Sequence, residues 1–584
     1  MYDRKVRARY ISFVSLFVGI LLTTTGLLVF AGLETQRYIT ALEQLAIPAA
    51  QLHSNRAKQI VRPLSFLTFK AVPVIESWYA LLRIGDDLEN LSFALQSASA
   101  SLATNTTALT IDQLVTPLKK IHEKVLIITQ VADTSPLLQK IISSQNLHRA
   151  TGGEHQLQLI TTLLESLTQG TQTWLILFQN SDELRATGGF TGSYALVTFS
   201  KGKLAEIVVE DIYDADGQFT GYIEAPPGVK EYTSNNHGLR LPDANWFPHF
   251  PKSAQTQLQF FALGDKRNIS GVIAINTAVA KSILSATGPV RLPDYPTTVT
   301  ESNFDTVLRD DRADFFPGSL QKKHILSQLI SVLKQKIAQL PQEKQLELAK
   351  ALVAGLPRKD IQFYAIKPDI QAIFHELGIS GEVGLSPWTK KQIQTDCTAT
   401  TCATPHLLYL VESNIGINKA NQFVTRSVDI YRQTAQKMHV VIKYTNTGQK
   451  DASTLLGAVV GRTANPKLSL ATNGYANYQR VLTSRSLQLT QVRINGEPQK
   501  SISQELLTIE PNTFQQSGFL VETLPQENTI VELDIETTDQ ALSFDTLPLL
   551  IQKQSGVGNP IYTIHTSGQD HAVVLETDQL IELK

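Results

Sequence analysis

The chain has 584 residues, with 52 Lys and Arg against 53 Asp and Glu, 42% apolar and 18% charged residues, 12 histidines and two cysteines. At about 150 residues per domain this is material for three or four domains. A net charge of −1 offers no global field for a polyanion and excludes nucleic acid as a partner held by bulk charge, and two cysteines exclude a thiolate-rich structural zinc site.

From Tyr10 to Leu33 no residue is charged, and about 20 apolar residues suffice to cross a bilayer as a helix. The run predicts an uncleaved signal-anchor, since no small-x-small cleavage site follows it closely. Arg4, Lys5, Arg7 and Arg9 precede it, which predicts a cytoplasmic tail over 1–9, a single span over 10–33 in a cell membrane, and an extracellular bulk. Residues 34–170 read as helices, with Leu114, Leu118, Ile121, Val125 and Ile128 at three- and four-residue intervals. The Ser-, Thr- and Ala-rich stretch Leu95 to Leu109 reads as a flexible connection within this stalk.

At Thr173 the period changes. Trp174 to Gln179, Tyr194 to Ser200 and Leu204 to Tyr213 read as strands, the last two joined by a turn at Lys201-Gly202-Lys203. Gly271 to Asn276 reads as a buried strand leading into a helix over 277–286, and Leu320 to Leu340 as a longer helix with Ile325, Leu329, Val332, Leu333 and Ile337 on one face. Strands alternating with helices predict an α/β domain over 171–405, layered α/β/α. Short β-rich runs after it, such as 438–446 and 529–537, predict a C-terminal all-β sandwich over 406–584.

Standard catalytic and nucleotide motifs are absent: no phosphate loop, no H-E-x-x-H, no G-x-S-x-G and no C-x-x-C-H. What remains is a polar constellation. Arg185 with Gly188 and Gly189, in ELRATGGFTGSY, combines a cationic fork with uncovered backbone amides and suits a phosphate; a tight surface turn explains the same residues. Asp211 and Asp214, in EDIYDADG, are hard oxygen donors that suit magnesium or a catalytic base, or simply a solvated acidic turn. Arg240, Asp243 and Trp246, in LRLPDANWFPHFP, read as a substrate loop or a packed one, and Arg309 and Arg312 before the helix at 320 as further phosphate ligands or a charged face. Cys397 and Cys402, in DCTATTC, read as a disulfide in an oxidising compartment or as two separate thiols.

LFQNSDELRATGGFTGSYALV, VEDIYDADG, PDANWFPHFPKSA and NISGVIAINTAVAKSILSATGPV resemble the domain of unknown function 4012 family, over about 174–290, and KQSGVGNPIYTI is similar to its C-terminal part. That resemblance implies a bacterial envelope protein with an N-terminal anchor and no assigned activity. The order of segments also resembles the LytR-CpsA-Psr family, which moves glycopolymers from polyprenyl-pyrophosphate carriers onto peptidoglycan: Trp174 to Gln179, the loop to Ser193, the strand pair ending at Asp214, LSATGPV, and Arg309 to Phe315 before the long helix. This second resemblance implies a LytR-CpsA-Psr-like fold. Three of that family's charged positions depart, with Gly192 or Ser193 at its loop aspartate, Tyr213 at an arginine, and no counterpart for another arginine.

The expectation is a membrane-anchored extracytoplasmic protein that binds, or binds and transfers, a lipid-linked pyrophosphate or cell-wall glycopolymer such as peptidoglycan. Magnesium is the one cofactor suggested, and an enzyme of this kind would be a phosphotransferase or glycopolymer ligase. The other reading is a non-catalytic structural or adhesion protein of the envelope.

Overall fold

The structure, a computed structural model, describes residues 27–583 except 45, 68–71, 105–110, 133, 142–143, 235–236, 264–267, 296–297, 306, 308–319, 388–389, 391–403, 450–457, 460–461, 464–473, 538, 540–541 and 567–569. It divides into two compact units, one reaching Gly170 and including Lys201–Lys203, the other comprising Thr171–Ser200 and Leu204–Lys584.

The first unit is helical. Residues 27–43 form α1, followed by α2 (Ile47–Leu67), α3 (Pro73–Thr104), α4 (Asp112–Ala132), α5 (Pro136–Ile141) and α6 (Ser144–Ser166). Its core gathers Tyr38, Ala57, Val61, Trp78, Leu82 and Ile128. The buried polar ends of this core are satisfied: Tyr38 Oη donates to Leu81 O at 3.1 Å and Trp78 Nε1 to Thr35 Oγ1 at 2.8 Å. The stretch expected as a connection is helical up to Thr104, because Ala and Leu in it favour helix and one register carries through.

The expected span and the placement derived from it require correction. Among the described residues no helix is long and apolar enough to cross a membrane. Residues 10–26 of the uncharged run lie outside the described residues. Its described end belongs to α1, which turns Ala31, Glu34, Thr35 and Tyr38 into the helical core. Glu34, 1% exposed, accepts from Arg37 Nη1 at 2.7 Å and lies 2.8 Å from His53 Nδ1. Hydrogen bonding to His53 and Arg37 holds its carboxyl below the usual range. A charged residue locked among protein partners marks this helix as part of a packed bundle.

The second unit begins with a five-stranded sheet in the order β3-β2-β1-β4-β5, where β1 is Thr171–Asn180, β2 Phe190–Ser200, β3 Lys203–Asp211, β4 Ile269–Asn276 and β5 Ile361–Ala365. The α/β domain expected from alternating elements is thus built on a mixed sheet. β1 and β4 run parallel, whereas β1 with β2 and β4 with β5 are antiparallel. The physical reason is connection length: only a long crossover can return the chain parallel to its predecessor. β2 and β3 are joined through Lys201 and Gly202, both with positive φ, 50° and 72°, which is the chemistry of a two-residue hairpin. Tyr213, expected to extend β3, lies instead in the short helix α7 (Ile212–Gly217). After β4 comes α8 (Thr277–Thr287), and the apolar stripe of α9 (Leu320–Gln339) buries Ile325, Leu329 and Leu333.

Beyond residue 405 two further sheets face each other, one of seven strands and one of six. Val428, Ile430, Val440, Ile442 and Leu533 from one meet Leu408, Val481, Phe519, Val521 and Leu549 from the other in a single core. Each sheet contains a parallel pair, Ile561–His565 with Val424–Arg432 and Leu549–Gln552 with His406–Val411, so these sheets too are mixed.

Candidate functional site

Of the residues expected to hold phosphate, Arg185, Gly188 and Gly189 are engaged by the protein itself. Arg185 is 1% exposed. Its Nη1 donates to Asn414 O at 2.5 Å and Leu184 O at 3.1 Å, and its Nη2 to Glu183 Oε1 at 3.1 Å and Asp243 Oδ1 at 3.2 Å. The fork faces two carboxylates and two carbonyls, and Phe190 lies against its plane with 5.6 Å from guanidinium carbon to ring centre. Arg185 joins the loop after β1 to the β-rich half of the unit, and Asp243 is its counter-ion.

Gly188 and Gly189, with φ of 132° and 147°, serve close approach of chain to chain. A Cβ on Gly188 would stand 2.7 Å from Ser555 Oγ, and one on Gly189 2.2 Å from Asn180 O. Ser555 belongs to the KQSGVGNP segment, which reaches across to this loop: Gln554 Nε2 donates to Arg185 O at 3.1 Å and Ser555 Oγ to Lys359 O at 2.5 Å.

In the acidic segment Asp211 and Asp216 are likewise committed. Asp211, 1% exposed, accepts from Tyr213 N at 2.9 Å and caps α7, whose first turn holds Asp214. Arg240 grips both oxygens of Asp216 at 2.8 to 3.1 Å. Tyr194 Oη donates to Glu210, and burial with that neighbouring carboxylate drives the phenol well above its ordinary value. Among the described residues no three His, Cys, Asp or Glu side chains converge to hold a metal ion.

Trp246, 2% exposed, packs on Tyr478 with ring centres 5.6 Å apart. Arg480, which periodicity did not single out, lies 4.6 Å from the Trp246 ring centre and donates to Trp246 O at 2.6 Å and Ser413 Oγ at 2.7 Å. Burial pulls its guanidinium down to about 10. The signal for it was an arginine inside the otherwise uncharged strand Tyr475–Ser484. Arg309, Arg312, Cys397 and Cys402 lie outside the described residues.

A cavity of about 170 Å³ opens at the carboxyl ends of β1 and β4, where open sheets with a parallel pair commonly form ligand sites. Phe178, Ile275, Val279, Ile283, Leu326 and Leu329 form most of its wall, with Ser193, Asn180, Asn276, Asp305 and Lys419 at its polar margin. Asn276 caps α8 by accepting from Ala278 N at 3.0 Å, which places the first turn of that helix at the cavity. Leu329 and Leu333, read from sequence on one helix face, line the cavity together with Leu326 and Ile330, which are not part of that face.

The loop, the acidic segment and the β1–β4 pair that build this region fall within one stretch of chain matching the family model described as "Protein of unknown function (DUF4012)". The match covers residues 169–312. The DUF4012 match agrees with the resemblance read over 174–290, while KQSGVGNP lies beyond its limits. Among curated proteins none matches the chain. Among solved structures the chain is similar to the X-ray structure of Lin1025 protein from Listeria innocua, with 14% identity over 36% of this chain and 79% of that one, at a TM-score of 0.22. Agreement that loose supports no statement about the DUF4012 fold.

Proposed function

We propose that this chain binds a lipid-linked, pyrophosphate-bearing glycopolymer carrier, with the apolar cavity receiving part of the hydrocarbon chain. The observation that carries this reading is the cavity at the ends of β1 and β4, walled by aromatic and aliphatic side chains and bordered by Lys419 and amides. Sites of this composition bury apolar ligands and orient them through a few polar groups. The proposal is restricted to binding. Transfer would need charged groups preorganised around the phosphate, and Arg185, Asp211 and Asp216 are occupied with internal partners.

Retention of undecaprenyl pyrophosphate by the purified protein tests it. Native protein is expected to retain the lipid equally in magnesium and in chelator, and Ala280→Trp, which fills the cavity, to lose it. Absence of retention by the native protein, or undiminished retention by a folded Ala280→Trp variant, overturns the reading in favour of a structural or adhesion role.

A further inference from the structure

A second, polar pocket of about 190 Å³ lies between the turn after β1 and the β-rich half of the unit. Arg426, Asn421, Ser181, Gly556, Gly558 and Asn559 border it, and none of its lining residues is acidic. The Arg426 side chain is only 10% exposed, and its Nε lies 2.7 Å from Glu412 Oε1. Glu412 is not among the lining residues of this pocket and borders, with Arg426, a separate cavity of about 20 Å³. Among the described residues nothing accepts from the two terminal nitrogens of Arg426. A buried guanidinium uses its planar fork for carboxylate or phosphate, and leaving that fork empty inside a protein is costly.

The neighbouring donors agree. Asn421 Oδ1 accepts from Leu184 N at 3.1 Å and from Asn414 Nδ2 at 2.9 Å, which fixes the amide orientation. Its Nδ2 meets no acceptor among the described residues. The backbone N–H groups of Gly556, Gly558 and Asn559 likewise donate to no described residue. Donors without acceptors, around a cation and with no carboxylate on the wall, form a cradle for negative charge.

We propose that this pocket binds a small oxyanion, a phosphate or a carboxylate group, gripped by the Arg426 fork. It is distinct from the apolar cavity and does not depend on the lipid reading.

Calorimetric titration of the purified full chain with inorganic phosphate and, separately, with acetate tests the site. Saturable binding of phosphate, of acetate, or of both supports it, and the arm that binds tells which oxyanion is preferred. Gly558 has open space where a Cβ would stand, so Gly558→Asp sets a carboxylate at the rim without a steric clash. Arg426→Lys keeps a cation beside Glu412 and removes the fork. Each is expected to weaken binding by about tenfold or more. The proposal is overturned if neither anion binds the native protein, or if both variants, folded by circular dichroism, bind as the native chain does.

Discussion

Gly188 and Gly556 meet backbone to backbone: a Cβ built on Gly556, whose φ is 75°, would stand 2.0 Å from the Gly188 carbonyl oxygen. The two glycines belong to segments far apart in sequence, the GG turn after β1 and the KQSGVGNP loop. Gly556→Ala is therefore expected to destabilise the protein by about 2 to 4 kcal/mol, from left-handed strain and overpacking together. Gly558→Ala, two residues away with open space at its Cβ, is expected to stay within about 0.5 kcal/mol of the native protein. Denaturant unfolding of the two variants distinguishes them.

Arg185 separates a structural from a ligand-binding assignment. Its loss leaves Glu183 and Asp243, 5% and 3% exposed, without their shared cation. Arg185→Ala is expected to cost about 3 to 5 kcal/mol, read by thermal unfolding. At a temperature where the variant is folded, its retention of undecaprenyl pyrophosphate is expected to equal the native value. Loss of retention with unchanged stability would restore the phosphate-binding reading.

Trp246 makes the corresponding case for the loop at 239–251. Its ring is enclosed by Tyr478 and Arg480, so Trp246→Ala is expected to cost about 3 to 5 kcal/mol by cavity formation. Trp246→Phe, which keeps an aromatic face under Arg480, is expected to cost less. A variant series followed by chemical denaturation checks the order.

His249 supplies a pH dependence. Burial pulls the imidazole down to about 4 from 6.5, and its Nδ1 accepts from Val383 N at 3.3 Å, as a neutral ring does. The folded value lies below the unfolded one, so on acidification the unfolded chain takes up this proton first. Stability from this group is intact above about pH 6.5 and is lost as the pH falls toward 4, by about 3 kcal/mol in all. His249→Asn is expected to flatten that part of the pH–stability curve. Parallel acid slopes for variant and native protein would contradict it.

Local pattern made much of the secondary structure legible. Trp174 to Gln179 lies inside β1, the helix read at 277–286 is observed at Thr277–Thr287, and that read at 320–340 is observed at Leu320–Gln339. Each depends on side-chain periodicity within one element. The uncharged run at 10–33 shows the weakness of the same method. Its described end packs Ala31 and, immediately beyond, Glu34 against other helices, and apolar composition does not distinguish lipid from a protein partner.

Periodicity and motif, written in near neighbours, marked many of the strands and helices, the segment that matches DUF4012 and the polar residues gathered around it. Tertiary structure alone decided what those residues do. The charge of Arg185 is consumed by Asp243 and by the carbonyl of Asn414, and Gly189 relieves contact with Asn180. Arg426, unremarkable in sequence, keeps an open fork beside a polar pocket. Whether a charge is spent or available depends on partners brought close by folding, since electrostatic and hydrogen-bond satisfaction depends on distance in space and not along the chain.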